Sequence, residues 1–251
     1  MSETNFYSQF GEDRLLAQVF AGMDDGLCVE VGANDGINDS NTLYFEQLGW
    51  GCILVEPNPD LCSQIRRHRN GRLFECAVSS RGGSAVLNIA EGPARAHGVS
   101  ALGEPSSASR RIASFGFDSR PVRVVTRTLD DILQEANIDK PLRLVSIDVE
   151  GHELDVLQAF SLDKWRPTIV LVEDNSNFED GAVRAHLCRF GYVPFMRTGV
   201  NDWYAHRSNT ELADARSTMA WRWASLSARI RSRLRRIPGL KAFVRWLRGA
   251  K

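Results

Sequence analysis

The sequence predicts an α/β fold, a mostly parallel sheet covered by helices on both faces. Three observations carry that reading. Five short runs, 27–31, 52–56, 73–78, 142–147 and 168–172, are nearly continuous in apolar residues, as strands buried on both faces must be. Stretches of helical period, 41–48, 59–68, 129–136 and 153–160, lie between or after them. Four of the runs end in acidic or glycine-rich segments, at the strand ends where an open sheet of this kind places its ligand.

The first run, Leu27–Val31, leads into Gly32-Ala33-Asn34-Asp35-Gly36, where the glycines permit a tight turn. The second ends at Glu56 and is closed by Pro57, which cannot continue a ladder. Leu73–Val78 and Leu142–Ile147 are the third and fourth, and Thr168–Val172 the fifth. Tyr192–Arg197 and Asp202–His206, joined by Thr198-Gly199-Val200-Asn201, predict a closing antiparallel hairpin. Thr128 to Asp131 reads as a capping box for the helix that follows. Positions 81–127 break the rhythm: 84–90 and 122–126 read as extra strands, and 91–120, rich in Gly, Ser, Ala and Arg, as a long loop or lid.

The chain has 251 residues, enough for one domain with an appendage, and 43% hydrophobic with 25% charged residues excludes wholesale disorder. Cys28, Cys52, Cys62, Cys76 and Cys188 form no C-x-x-C pair and read as reduced core thiols. No apolar run reaches about 18 residues and the N-terminus is polar, so a soluble cytoplasmic protein is expected. The net charge of zero conceals an asymmetry. Eleven of the 31 basic residues and none of the 31 acidic ones lie in 216–251, leaving 20 basic against 31 acidic residues before them. An acidic body carries a basic tail.

The strand ends bear the chemistry. Glu30 to Gly36, Glu56-Pro57-Asn58, Asp148 to Glu153 and Glu173-Asp174-Asn175 converge on one acidic rim. A carboxylate such as Glu56, at the end of the second strand, suits the two hydroxyls of a ribose. A dinucleotide enzyme shares these features, but its glycine turn admits a pyrophosphate. Here Asn34 and Asp35 occupy that place, the aspartate repels phosphate, and no Lys or Arg lies nearby in sequence. A cationic nucleoside, S-adenosylmethionine, fits better.

Six motifs then occur in order: Tyr7-Ser8-Gln9-Phe10-Gly11-Glu12-Asp13, Val29 to Gly36, Ser40-Asn41-Thr42, Glu56-Pro57-Asn58, Thr128-Leu129-Asp130-Asp131 and Ile147 to Glu153. Over roughly residues 6–206 the chain resembles the FkbM family of S-adenosylmethionine-dependent O-methyltransferases. The resemblance implies a Rossmann-like class I methyltransferase sheet of seven strands with the last antiparallel. It implies a domain over 1–210, with the lid at 81–127, followed by a tail over 211–251. It also implies roles: Glu30, Gly32, Asn34, Asp35 and Gly36 around the methionine end of the cofactor, Glu56 and Asn58 at the ribose, and Ala77 and Val78 beside the adenine. Gln9, Ser40, Asn41 and Thr42 would close over the amino-acid moiety, with Asp148 at the same site. Family members methylate hydroxyls of sugars or of polyketide-type natural products. The reading adopted is methylation of a sugar or glycan in surface polysaccharide or glycolipid biosynthesis. The alternatives are a small natural product, a nucleotide-sugar or dinucleotide enzyme on the same sheet, and a non-catalytic glycan-binding role.

A sugar hydroxyl is a poor nucleophile at neutral pH and needs a base or a Lewis acid. Glu150 and His152, with Asp148, are the candidates for acid–base work. Asp148, Asp174 and Asn175 form an oxygen set similar to the magnesium site of catechol O-methyltransferase, against which crowding by Glu150 and Glu173 points to ordinary hydrogen bonding. Asp148 and His152 also have a plain structural reading, as caps of the next helix.

In the tail, Met219, Trp223, Leu226, Ile230, Leu234 and Ile237 recur every three or four residues among arginines. Pro238-Gly239 interrupts, and Leu240, Phe243, Val244 and Leu247 resume the pattern. Two amphipathic helices are expected, suited to an anionic membrane and placing the protein on the inner face of the plasma membrane. An oligomerisation helix, or a tail packed on the acidic body, is weighed beside it. Nucleic acid is not expected, since no binding module accompanies the charge.

Overall fold

The structure, a computed structural model, describes residues 5–92, 98–103 and 105–235. In chain order its elements are α1 (Glu12–Val19), β1 (Leu27–Val31), α2 (Leu43–Gln47), β2 (Gly51–Val55), α3 (Pro59–His68), β3 (Arg72–Phe74), β4 (Ala77–Val78), β5 (Gly83–Glu91), β6 (Ala101–Leu102) and α4 (Pro105–Ser114). There follow β7 (Asp118–Arg127), α5 (Leu129–Ala136), β8 (Leu142–Ile147), α6 (Glu153–Gln158), α7 (Leu162–Trp165), β9 (Ile169–Glu173), α8 (Ala182–Arg189), β10 (Tyr192–Thr198), β11 (Asn201–His206) and α9 (Ala215–Arg235).

The main sheet has seven strands in the order β10-β11-β9-β8-β1-β2-β3. The pairings from β3 through β9 are parallel, while β11 lies antiparallel to both β9 and β10. The expected hairpin is therefore present, and its second strand inserts between β9 and β10 instead of forming the edge. Side chains alternate across the sheet. Val29, Val31, Val145 and Ile147 pack with α5, α6 and α8 through Ile132, Leu157 and Leu187. Cys28, Leu54 and Leu144 face the other way, onto Leu16 of α1, Phe45 of α2 and Ile65 of α3. All five cysteines are free and four are buried.

The helix bounds follow local chemistry. Asn58 caps α3, its side chain accepting from the Asp60 amide at 3.1 Å, with Pro59 in the first turn. Thr128 caps α5, accepting from the Asp131 amide at 3.0 Å. The N-terminal segment is tied down by two fully buried acids. Asp13 accepts from the Ser8 hydroxyl at 2.6 Å, and Glu12 accepts from Thr198 at 2.6 Å and Asn201 at 2.9 Å, on the hairpin.

Two expectations need correction. The run 73–78 is not one strand: β3 closes the edge of the main sheet, and after Glu75 and Cys76 the chain enters a second sheet as β4. That sheet, in the order β4-β7-β5-β6, is built from the insertion, with β5 and β7 paired antiparallel from Gly83↔Thr126 to Glu91↔Asp118. The described part of 91–120 is thus no long loop, for it contributes β6, α4 and the start of β7. Among its described side chains the helix buries Ala108 and Ile112, one turn apart, a thin stripe to read as periodicity.

The tail forms α9, while the second helix expected after Pro238 lies outside the described residues. α9 packs by Trp221, Ser225 and Ala228 and leaves Met219, Trp223, Leu226 and Ile230 exposed. The stripe picked out by spacing is thus the outer face, not the packing face. Among the described residues no helix is long and apolar enough to cross a membrane.

Candidate active site

A cavity of about 210 Å³ lies beyond the carboxyl ends of β1, β2 and β8, with the second sheet contributing Ala77, Leu87 and Leu102 to its wall. Gly32 ends β1 with φ +85°, and a Cβ there would stand 1.8 Å from the Asp148 carbonyl oxygen, so no other residue lets the β1 and β8 ends come this close. The Gly32 and Ala33 amides donate to the Val55 carbonyl at 2.9 and 3.1 Å, which holds the turn over β2. Glu56 then accepts from the Asn34 amide at 3.0 Å and the Asn58 amide at 2.9 Å. Burial pushes its carboxyl up to about 7 although both amides oppose the shift.

Glu30 accepts from the Asn41 amide at 2.6 Å, Thr42 Oγ1 at 2.7 Å and Ser40 Oγ at 2.9 Å. Arg69, its side chain wholly buried, pairs with Glu30 at 3.4 Å and Glu46 at 3.1 Å and donates to the Gly36 carbonyl at 2.9 Å. Arg69 corrects the sequence-based view that no basic residue stands near this turn. The fold delivers one from the end of α3, and two carboxylates neutralise it. Gln9, Glu30, Gly32, Asn34, Ser40, Asn41, Glu56, Asn58, Ala77, Val78 and Asp148 line the cavity. Asp35, Gly36 and Thr42 are not in its wall. Asp35 turns into its own loop, accepting from the Ile37 and Asn38 amides at 2.9 and 2.8 Å, and Thr42 lies fully buried behind Glu30.

A second cavity, of about 510 Å³, opens beside the first, and Leu102, Glu150 and Glu173 line both. His152, Phe178 and Trp221 line the second. At the junction Asp148, Glu150 and Glu173 each bring a carboxylate oxygen within 4.8 Å of the others. Asp148 is exposed toward the cavity, and loss of water around its carboxyl, then Glu173 and Glu150, hold it well up. Glu150 is pushed up to about 7 by burial and then by Glu173, against Arg111. Burial also raises Glu173, with hydrogen bonds from Asp148 and Asn175 opposing. Loss of water and mutual repulsion thus hold all three carboxyls above the usual carboxylate range. Arg111, on α4 of the insertion, donates to both the carbonyl and the carboxylate of Glu150. Glu150 itself stands at φ +56°, a left-handed conformation costing a non-glycine residue on the order of 1 kcal/mol.

The residues expected to form a magnesium set line different cavities, Asp148 the first and Asp174 and Asn175 the second. Asp174 accepts from the Ser176 amide at 2.9 Å, the Phe178 amide at 2.9 Å and Arg197 at 3.1 Å, so its oxygens are already taken. At the junction itself Arg111 pairs with Glu150, while the partners already on Asp174 oppose its use as an ion ligand. Asp148 is not the cap of α6. His152 holds that position without a side-chain cap bond, and its buried Nδ1 has no hydrogen-bond partner. The α6 start is instead bonded by Glu153, which accepts from the Gly151 amide at 2.8 Å.

Arg69, Arg111 and Trp221 were not anticipated from the sequence. Glu173 was legible as an acidic strand end, while the two arginines act across long stretches of chain and carry no local signal.

A seven-stranded, mostly parallel sheet with a cavity at its carboxyl edge, a glycine turn after β1 and a carboxylate at the end of β2 form the arrangement in which an open α/β sheet places its ligand. The chain belongs to the FkbM methyltransferase family: the model for the methyltransferase FkbM domain matches residues 30–194. No curated protein matches the chain. Among solved structures it is similar to a ribosomal protein L11 methylase of Lactobacillus delbrueckii subsp. bulgaricus, at 12% identity and a TM-score of 0.38, over 77% of this chain and 75% of that one. Nothing about substrate transfers at that distance.

Proposed function

We propose that this protein is a Rossmann-like class I methyltransferase that moves a methyl group from S-adenosylmethionine to a hydroxyl of a sugar or glycan, a step in surface polysaccharide or glycolipid assembly. The observation that carries it is the meeting of two cavities at one carboxylate junction: one fits the cofactor, the other leaves room for an acceptor. The fit of the first rests on its polar wall. Asn41 Oδ1 and Asn58 Nδ2 are buried there without partners, an acceptor and a donor left for a ligand, and Glu30 and Glu56 add negative charge suited to a cation. Glu56 and Asn58 would hold the ribose, Ala77 and Val78 flank the adenine, and Gln9, Ser40 and Asn41 close over the amino-acid end. When bound, the cofactor supplies a methyl group already activated by its sulfonium.

The chain's own part is orientation and proton transfer. Glu150 lines both cavities, and its carboxylate, poised near neutrality, takes the proton from the acceptor hydroxyl. Arg111 fixes its rotamer. Asp148 lines the cofactor cavity and His152 the acceptor cavity on either side of Glu150.

Calorimetric titration with S-adenosylhomocysteine at two pH values tests the reading. Glu56 must be ionised to accept from a ribose diol, and it titrates near 7 instead of its usual 4.5, so affinity rises with pH through that value. Between pH 6 and 8 the ionised fraction, and with it the affinity, rises about tenfold. Glu56→Gln should weaken binding and flatten that dependence. Preferential binding of NAD, or unaltered S-adenosylhomocysteine affinity in Glu56→Gln, would end it.

A further inference from the structure

α9 carries two apolar faces on opposite sides. At about 100° per residue, Trp221, Ser225 and Ala228 share one side, and Met219, Trp223, Leu226 and Ile230 lie about 180° away, within about 60° of one another. The first side is buried: Trp221 donates to Asp202 at 2.9 Å, stacks edge-on against Phe178 at 5.3 Å, and forms part of the wall of the larger cavity. The second side is open, with Met219 58%, Trp223 66%, Leu226 50% and Ile230 49% exposed. Packing on the body explains the first side and leaves the second without a partner.

We infer that this outer face of α9 lies in the headgroup layer of an anionic lipid membrane. Charge selects this occupant. Arg216 flanks the stripe on one edge and Arg222 and Arg229 on the other, and no acidic residue occurs from 216 to 251. Two copies meeting through this face would oppose arginine to arginine, whereas an anionic surface meets tryptophan and leucine with its acyl boundary and arginine with its phosphates. Beneath the same helix, Arg184, Arg207 and Arg222 line a groove of about 530 Å³. Arg184 lies over the Trp221 ring at 5.5 Å and Arg207 donates to the Gly191 and Cys188 carbonyls, so this groove belongs to the packed side of α9, and the arginines flanking the outer stripe are the ones placed to meet phosphate. The body, with its acidic excess, is repelled by the same surface, which fixes which side faces down. Each arginine near such a surface strengthens binding about fivefold. Resting on the methyltransferase reading, the placement deepens it. The larger cavity lies one helix thickness, about 10 Å, from the bilayer, within reach of a glycan acceptor carried on a lipid.

Co-sedimentation of the full chain with phosphatidylglycerol-containing vesicles, against pure phosphatidylcholine vesicles, decides it. The protein should pellet with the anionic vesicles and not with the neutral ones, and high salt should weaken the pelleting. The double variant Trp223→Glu, Leu226→Glu, both on the exposed side, should reduce the bound fraction about tenfold with an unchanged melting curve. Failure of the unaltered protein to pellet with anionic vesicles, or equal pelleting by the double variant, overturns the inference. So does a dimer in sedimentation equilibrium that the double variant dissociates without any vesicle binding, which assigns the face to a second copy. None of these readouts involves methyl transfer, so this inference and the catalytic one fail separately.

Discussion

Two groups of carboxylates stand on the same rim and live in opposite circumstances. Glu30, at the β1 end, is met by three protein donors at 2.9 Å or less and by the guanidinium of Arg69. At the β8 and β9 ends, Asp148, Glu150 and Glu173 crowd within 4.8 Å and share one arginine, Arg111. Glu30 is buried, whereas Asp148 opens on the cavity and Glu150 and Glu173 are half-buried, and the supply of protein donors differs with that placement. Where the chain satisfies a carboxylate completely, the group holds structure. Where it leaves carboxylates competing for a proton, their pKa values rise and chemistry becomes available. Glu56 falls between the two, satisfied by two amides yet still pushed up to about 7.

The hardest way to break this contrast is to remove the satisfied side's cation. Arg69→Met leaves Glu30 and Glu46 buried without their counter-ion, and breaking such a pair costs about 3–5 kcal/mol. Urea unfolding followed by circular dichroism should show a midpoint lowered accordingly. A loss under about 1 kcal/mol would place Arg69 with ordinary surface pairs and remove the structural half of the comparison.

The unsatisfied side makes the converse prediction. Glu150→Gln keeps the shape of the junction but cannot take a proton, so turnover should fall about 10²- to 10⁴-fold. Affinity for S-adenosylhomocysteine should stay within about threefold, the signature of an interaction used in the transition state. Methyl transfer is read by mass spectrometry as the gain of one CH₂ on a sugar acceptor. Unchanged turnover would shift the base to Glu173 or His152. Removing the carboxyl should also stabilise the fold near neutral pH. Glu150 binds its proton up to about 7 in the folded chain and only to about 4.5 unfolded, so its favourable contribution is complete below 4.5 and gone above 7.

Much of this rim was readable before any coordinates, and the limits of the reading are physical. β1, β8, α3 and α5 were legible because their signals are local: an unbroken apolar run, a Pro-Asp start after Asn58, a threonine before a helical period. The acidic strand ends were legible because an open parallel sheet gathers them at one edge. The junction between β3 and β4 was not, since a single apolar run carries no mark of which sheet will take each half. Arg69 and Arg111 were invisible for the same reason. Arg69 acts on a loop more than 25 residues upstream and Arg111 on a strand end 39 residues downstream, and nothing in their neighbours announces it. The outer face of α9 was visible as a stripe, but spacing alone did not say that the opposite face does the packing.

The finest test lies on the boundary between the two groups, where Asn41 Nδ2, on the loop held by Glu30, donates to Ser146 Oγ on β8 at 3.0 Å. Ser146→Ala deletes that acceptor and leaves Asn41 with both its oxygen and its nitrogen unpartnered in the protein. Leaving one such donor unpaired costs about 1 kcal/mol when water or ligand in the cavity can partly compensate. Glu30 keeps its own three donors, so the loop should hold its place, and Glu150 keeps Arg111, so proton transfer should be untouched. The expected result is a small loss of stability and of S-adenosylhomocysteine affinity, by about fivefold at most, with turnover on saturating cofactor unchanged. A large fall in turnover at unaltered affinity would mean that the β1 side and the β8 side act as one network. The number of donors around each carboxylate would then no longer separate structure from chemistry.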